Sequence, residues 1–266
     1  MKYSLLSSIA ALALSSSKAF AKPVELAARA DPTVYFCGDS TMARSSDGVM
    51  DGWAQYVEQY LTVSTVNKAI GGRSARSYWN EGRFQEVADL VQSGDIVVIE
   101  FGHNDGGSPE SNDNGRSDCP GAGTETCVSD ATGETVYTFV FYVVQASKKM
   151  LEKGATVILS SQTPNNQWEG GTYSGAPSRF VGYQKTATNS IGDAGVTFVD
   201  HHQAVSNMYL KLGNDAVNAL YPSDHTHTSP EGADLSAKAF VQAISQAMNG
   251  TTSLAPYVKE PVNIVY

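Results

Sequence analysis

The feature that most constrains the fold is the run Ile96 to Phe101, Ile-Val-Val-Ile-Glu-Phe, apolar with almost no alternation. A strand apolar on both faces must be covered on both faces, as in parallel sheets flanked by helices. Thr33–Cys37, Ala155–Ser160 and Val196–Asp200 repeat the pattern, and a weaker strand falls at Val63–Asn67. Between and after these runs lie segments read as helices: Trp53–Leu61, Phe84–Val91 ended by Gly94, Tyr137–Lys153 closed by Gly154, Pro177–Ile191, Ala204–Leu212 and Glu231–Met248. Five strands alternating with helices predict a single-domain α/β protein, a three-layer α/β/α sandwich on a five-stranded, mostly parallel sheet. The 266 residues show no repeat and no interdomain linker, a length that suits one such domain.

The N-terminus reads differently. Lys2, the apolar segment Leu5 to Leu14 and the small-x-small end Ala19-Phe20-Ala21 have the order of a secretory signal peptide, too short to span a bilayer. The expected organisation is a signal peptide at 1–21, a short leader at 22–32, the domain at 33–250 and a tail at 251–266, in a secreted, extracellular protein. Of the 18 basic residues, Lys2 and Lys18 fall in the leading segment, so 16 remain against 27 acidic ones. An acidic surface argues against nucleic acid and anionic membranes as partners. Cys119 and Cys127 bracket a Gly-rich stretch and are expected to form a disulfide in an oxidising compartment. Cys37 sits in an apolar strand, where an inert buried thiol is expected. Asn249-Gly250-Thr251 is a candidate glycosylation acceptor.

Open parallel sheets bind ligands beyond the carboxyl ends of their strands. That rule gives Gly38–Arg44, Ala69–Tyr78, Gly102–Asp105 and the loop after Ser160 one address, which the late segment Pro222–Gly232 can join. The Gly106–Gly133 stretch is too long and polar for an ordinary connection, and such loops are commonly functional. Ser40 needs a base to be a nucleophile, and the base needs a group to orient it. Among five histidines, His227 stands three residues after Asp224 and just before a helix start, where one turn of chain brings carboxylate to imidazole. A capping box at Thr228–Glu231 with Pro230 in the first turn would hold that loop rigid. Two other readings remain open for the segment: a plain polar helix start, or a metal site from Asp224, His225 and His227. For the oxyanion of an acyl transfer, Gly72 in Gly71–Ser77 and the Asn104 amide in Phe101–Asp105 are candidate donors beside the Ser40 N–H. Each segment alone is an ordinary turn.

Taken in order, the segments resemble the four motif blocks of the SGNH hydrolases, or GDSL esterases: Gly38-Asp39-Ser40, Gly72, Gly102-His103-Asn104-Asp105 and Asp224-x-x-His227. A G-x-S-x-G elbow is absent, which separates the chain from ordinary α/β-hydrolases. Gly38–Ala43, Ser160–Asn166, Asp224–Pro230 and the spacing of Cys119 and Cys127 resemble a fungal subgroup, the rhamnogalacturonan acetylesterases. A second disulfide expected of that subgroup near the C-terminus has no cysteines here. The resemblance implies a flavodoxin-like SGNH fold and catalysis by Ser40, His227 and Asp224. It further implies an oxyanion hole from Ser40, Gly72 and Asn104, and no metal or organic cofactor. The implied substrate is acetylated rhamnogalacturonan, a pectic polysaccharide, and the chain is read as a monomer. Arg73 and Arg76 follow Gly72 closely enough to line the site and pair with uronate carboxylates, or equally to bond the protein's own acids. Trp168 is a candidate for stacking on a sugar, or for core packing. The alternatives are an acetylxylan esterase, a lipase or aryl esterase, and a non-catalytic carbohydrate-binding protein.

Overall fold

The computed structural model describes residues 31–46 and 48–266. The expected signal peptide and all but the end of the expected leader lie outside the described residues. Residues 31–266 form one compact unit.

Strands occur at β1 (Val34–Gly38), β2 (Thr65–Asn67), β3 (Ile96–Glu100), β4 (Thr126–Val128), β5 (Thr135–Tyr137), β6 (Thr156–Ser160) and β7 (Val196–Val199). Five of them pair in parallel in the order β2-β1-β3-β6-β7, while β4 and β5 form a separate antiparallel pair. Helices occur at α1 (Ala75–Asn80), α2 (Arg83–Leu90), α3 (Phe139–Glu152), α4 (Arg179–Ile191), α5 (His201–Leu212), α6 (Asn214–Ala219) and α7 (Pro230–Ser245). The continuous apolar runs are two alternations superposed. Val34, Phe36, Ile96, Val98 and Ile158 join the core that contains Val205 and Met208 of α5 and Phe240 and Ile244 of α7. Tyr35, Cys37, Val97, Ile99, Val157 and Leu159 join the opposite core, with Phe84, Val143, Met150 and Phe180. Burying each such side chain contributes about 1.5–3 kcal/mol, so slipping a strand by one residue gains nothing and breaks the pairing. This is the expected three-layer α/β architecture. No helix among the described residues is long and apolar enough to cross a membrane.

Several local expectations differ from the structure. Trp53–Leu61 forms two 3-10 turns, Trp53–Gln55 and Val57–Tyr60, instead of one α-helix. Residues three apart face alike in either helix, so the apolar spacing could not separate them. Tyr137, expected to open a helix, ends β5, and Thr138 caps α3 by accepting the Phe141 N–H at 3.1 Å. The cap of α7 is Ser229 rather than Thr228, with Pro230 in the first turn as expected. The long polar stretch is folded: Cys119 and Cys127 are disulfide-bonded, and Cys127 lies in β4. Residues 251–266 pack on the same unit, with Leu61 bridged to Val258 and the Val265 N–H donated to Gln242 Oε1 at 2.7 Å. Asn249 is exposed, and its Oδ1 accepts the Asp200 N–H at 2.8 Å. Cys37 is buried, and desolvation pushes its thiol up to about 12.

Candidate active site

All the main-sheet strands end at one edge, and the turn after β1 is built to expose Ser40 there. A Cβ on Gly38 would lie 2.6 Å from Met42 Sδ and 2.8 Å from Glu100 O, so only glycine lets the chain turn so close to β3. The buried Asp39 then knots the turn. Its Oδ1 accepts from Thr41 N at 2.9 Å and Thr41 Oγ1 at 2.8 Å, and its carbonyl accepts the Ala43 N–H at 2.9 Å.

The loop before α7 brings the other two groups to Ser40. Asp224 Oδ1 accepts the N–H groups of Thr226 (2.7 Å) and His227 (2.8 Å), which curls the chain so that Oδ2 meets His227 Nδ1 at 2.7 Å. His227 Nε2 then stands 2.8 Å from Ser40 Oγ. The carboxylate holds the ring proton on Nδ1, leaving Nε2 to accept from the serine hydroxyl. Burial pushes the Asp224 carboxyl up, but the hydrogen bonds from the His227 ring and from the His227 and Thr226 N–H groups outweigh it and hold it down at about 2. His225, expected as a ligand in the metal reading, lies instead 3.6 Å from Glu169. Among the described residues no group of three His, Cys, Asp or Glu side chains is arranged to hold a metal ion.

The loop after β2 forms the opposite wall. A Cβ on Gly71 would sit 3.7 Å from Ser40 Cβ, and Gly72 has a left-handed backbone (φ +76°). Asn104, after β3, donates from Nδ2 to Arg73 O at 3.1 Å, and its Oδ1 accepts from Arg116 Nη1 at 3.1 Å. That pair of bonds fixes which end of the amide is which: a cation takes the oxygen, and the NH2 faces the glycine loop with one hydrogen uncommitted. Beside Ser40 lies a depression of about 170 Å³, lined also by Ala43, Arg44, Met50, Asp51, Gly71 and His227.

Of the two readings open for Arg73 and Arg76, the structure shows the second: both bond the protein's own acids. Arg76 is buried, and its two terminal nitrogens donate to Asp113 (2.8 Å), Ser117 O (2.8 Å) and Glu134. It pins the Gly106–Gly133 segment from beneath and offers nothing to a substrate. Arg73 is partly exposed but paired with Glu81 at 3.0 Å. Trp168 is half-buried: its Nε1 donates to Tyr209 O at 3.0 Å, and its ring packs against Tyr173. Those contacts make it a strut of the loop after β6. The residues that sequence reasoning missed are Arg44 and Arg116. Arg44 had a usable signal, four residues after the serine in the same turn. Arg116 had none, because its arrival at Asn104 depends on the path of a folded 28-residue segment.

Residues 36–235 match the GDSL-like Lipase/Acylhydrolase family. A rhamnogalacturonan acetylesterase of Emericella nidulans is 55% identical over 214 residues, covering 80% of this chain and 84% of the relative. A probable rhamnogalacturonan acetylesterase of Bacillus subtilis is 25% identical over 222 residues, covering 80% and 92%. Among solved structures, the YXIM protein of Bacillus subtilis superposes with TM-score 0.64 at 23% identity, covering 82% of this chain and 57% of that one. A variant of an acetyl xylan esterase from Geobacillus stearothermophilus gives 0.53 at 19%, covering 80% and 94%. At such identity the two structures establish the fold alone. The fold, the ordered motif blocks and the match over residues 36–235 have one consequence: the chain belongs to the GDSL-like lipase/acylhydrolase family of ester hydrolases.

Proposed function

We propose that the chain removes acetyl groups from rhamnogalacturonan through an acyl-enzyme on Ser40. The observation that carries the mechanism is the continuous Ser40–His227–Asp224 hydrogen-bond chain, 2.8 and 2.7 Å long, at the mouth of a small depression. The substrate rests on 55% identity to an enzyme of that name.

His227 Nε2 takes the Ser40 proton as Oγ attacks the acetyl carbonyl, and Asp224 stabilises the imidazolium that forms. Negative charge develops on the carbonyl oxygen, where the Ser40 and Gly72 N–H groups and the Asn104 amide act as donors. His227 then gives its proton to the departing sugar oxygen. A water repeats the cycle, the His227-activated hydroxide releasing acetate and the proton returning to Ser40. A depression of about 170 Å³ matches an acetyl group better than a fatty acyl chain and disfavours the lipase alternative. Arg44 and Arg116 supply positive charge on the Ser40 and Gly72 side; among the described residues Arg116 has no carboxylate within ion-pair distance. The same reading takes the protein as secreted through its first 21 residues, glycosylated at Asn249 and monomeric.

The test is acetate release from acetylated rhamnogalacturonan, homogalacturonan, xylan and mannan, with Ser40→Ala as control. Rhamnogalacturonan should be the best substrate, and Ser40→Ala inactive on all four. Residual wild-type activity in Ser40→Ala removes the nucleophile assignment; a preference for xylan removes the substrate.

A further inference from the structure

A second cavity, about 440 Å³, opens at the same edge of the sheet, in the crook of the segment after β6. Its walls include Gln162, Asn165, Gln167, Glu169, Ala176 and His202. That volume lies within the range of small-molecule sites, about 300–1,000 Å³. Two sets of contacts join it to the esterase centre. On one side Thr226 Oγ1 donates to Asn165 Oδ1 (3.2 Å) and Asn166 N to His225 O (2.7 Å), which seats the wall against the loop that carries His227. On the other, Gln162 Nε2 approaches His103 Nδ1 (3.4 Å), the residue before Asn104. A chain of sugars lying across Ser40 therefore has this cavity as a neighbouring stop.

Its chemistry is unlike that of the Ser40 side. Amides and hydroxyls line it, without lysine or arginine, and Glu169 brings a carboxylate to its edge. Burial lowers the basicity of His202, so that ring adds no charge. Gln167 is only 6% exposed; its Nε2 donates to Ser206 Oγ at 2.9 Å, and its Oε1 has no donor among the described residues. A buried acceptor without a partner is costly, and a small turn of this wall side chain would bring it to a ligand hydroxyl. Such walls select for hydroxyls and against carboxylates, whereas Arg44 lines the depression beside Ser40 and Arg116 reaches Gly72 and Asn104.

We propose that this cavity is the subsite for a neutral sugar, the rhamnose beside an acetylated galacturonate, and that the uronate itself lies on the arginine side. The inference rests on the proposed substrate, so its test includes a reading that needs no ester turnover. Saturation-transfer NMR on the full chain should show methyl α-L-rhamnopyranoside bound, uncompeted by equimolar galacturonic acid. Ala176→Trp, at an exposed wall position, should abolish that signal. It should also lower the kcat/KM ratio of acetylated rhamnogalacturonan to p-nitrophenyl acetate about ten-fold, chiefly through KM for the polymer. Thr172→Trp, at another exposed wall position, serves if the first variant fails to fold. No rhamnoside signal, competition by galacturonic acid, or a ratio unchanged in a folded variant overturns the subsite. A protein that binds the rhamnoside as described yet releases no acetate from the polymer loses the substrate reading and keeps the cavity.

Discussion

Among the described residues, His227–Asp224 and His201–Glu100 are histidine–carboxylate pairs of nearly equal geometry and opposite surroundings. His227 meets Asp224 at 2.7 Å with side chains 31% and 43% exposed; His201 meets Glu100 at 3.0 Å with side chains 0% and 1% exposed. Around Glu100 the donors are complete, with Trp53 Nε1 at 3.0 Å and Ser160 Oγ also on its carboxylate. His201 Nε2 lies 2.9 Å from Ser236 O, an atom that only accepts, so Nε2 must carry a proton. Both nitrogens of His201 are therefore committed, and the ring is walled in by Trp53 and Phe240. His227 differs in one respect that matters for chemistry: its second nitrogen faces a hydroxyl, which can give up a proton, rather than a carbonyl, which cannot. A carboxylate beside a histidine makes a base only when the far nitrogen is left for a reactant. The buried pair instead ties β3 to α5 and, through Ser236, to α7.

The largest effect that should separate the pairs is on turnover. Ser40→Ala and His227→Ala should each lower kcat for acetate release by about 10⁴-fold or more. Because His227 is partly exposed, its loss should move the unfolding free energy by only about 0.5 kcal/mol. His201→Ala should invert the pattern. It strands Glu100 as a buried, underpaired carboxylate, at a cost of about 3–5 kcal/mol read from the urea midpoint. A His201→Ala protein as stable as the parent would show that the buried pair holds nothing together.

The two pairs also mark how far sequence reasoning reached. His227 was legible because Asp224 is three residues away, within one turn, and because the other three blocks recur in order. The His201–Glu100 pair was not: its members are 101 residues apart, and a glutamate closing an apolar strand gives no hint that three donors await it. The sheet was legible for the reason its residues are buried, since each strand carries two apolar faces. Short elements failed where packing outweighs pattern. Leu61 leaves its 3-10 turn extended to bridge Val258, a partner almost 200 positions away. Arginine is the clearest limit. Arg76 and Arg116 are alike in type, yet one is an internal strut and the other reaches Asn104, and only the folded Gly106–Gly133 segment decides which.

The oxyanion side gives the next largest effects. Asn104→Ala should cost about 10²–10³-fold in kcat, with KM little changed. Arg116→Ala should cost about ten-fold on p-nitrophenyl acetate, an ester with no carboxylate to bind, because the Asn104 amide loses its anchor. Arg116→Lys, which keeps a donor, should recover part of that loss. If Arg116→Ala slows only the polymer, the arginine binds uronate and does not position Asn104.

The smallest effect concerns a third kind of acid pair, in which two carboxyls face each other without a histidine. Asp105 Oδ1 accepts the Ala75 N–H at 2.7 Å and so anchors the start of α1. Among the described residues no donor reaches Asp105 Oδ2 or either Asp118 oxygen, unless one carboxyl keeps its proton and gives it to the other. Burial raises the Asp105 carboxyl from 3.8 to about 7, and burial with the neighbouring Asp105 charge raises Asp118 as well. A carboxyl that holds its proton to higher pH folded than unfolded makes the native state bind more protons in that window. This contribution is therefore full below about pH 4 and is lost as pH rises through about 7, the opposite of Asp224, whose lowered value contributes above 3.8 and is lost as pH falls through about 2. Asp118→Asn removes one of the two raised carboxyls and gives Asp105 a permanent donor, while the burial that raises Asp105 is unchanged. It should flatten the fall in stability between pH 4 and 7 by about 1 kcal/mol, measured from urea midpoints across that range. A fall as steep in Asp118→Asn as in the parent would mean that the two acids do not share a proton. The exposed Asp224–His227 pair should be indifferent to the change, with Ser40 turnover the same in both proteins at pH 7.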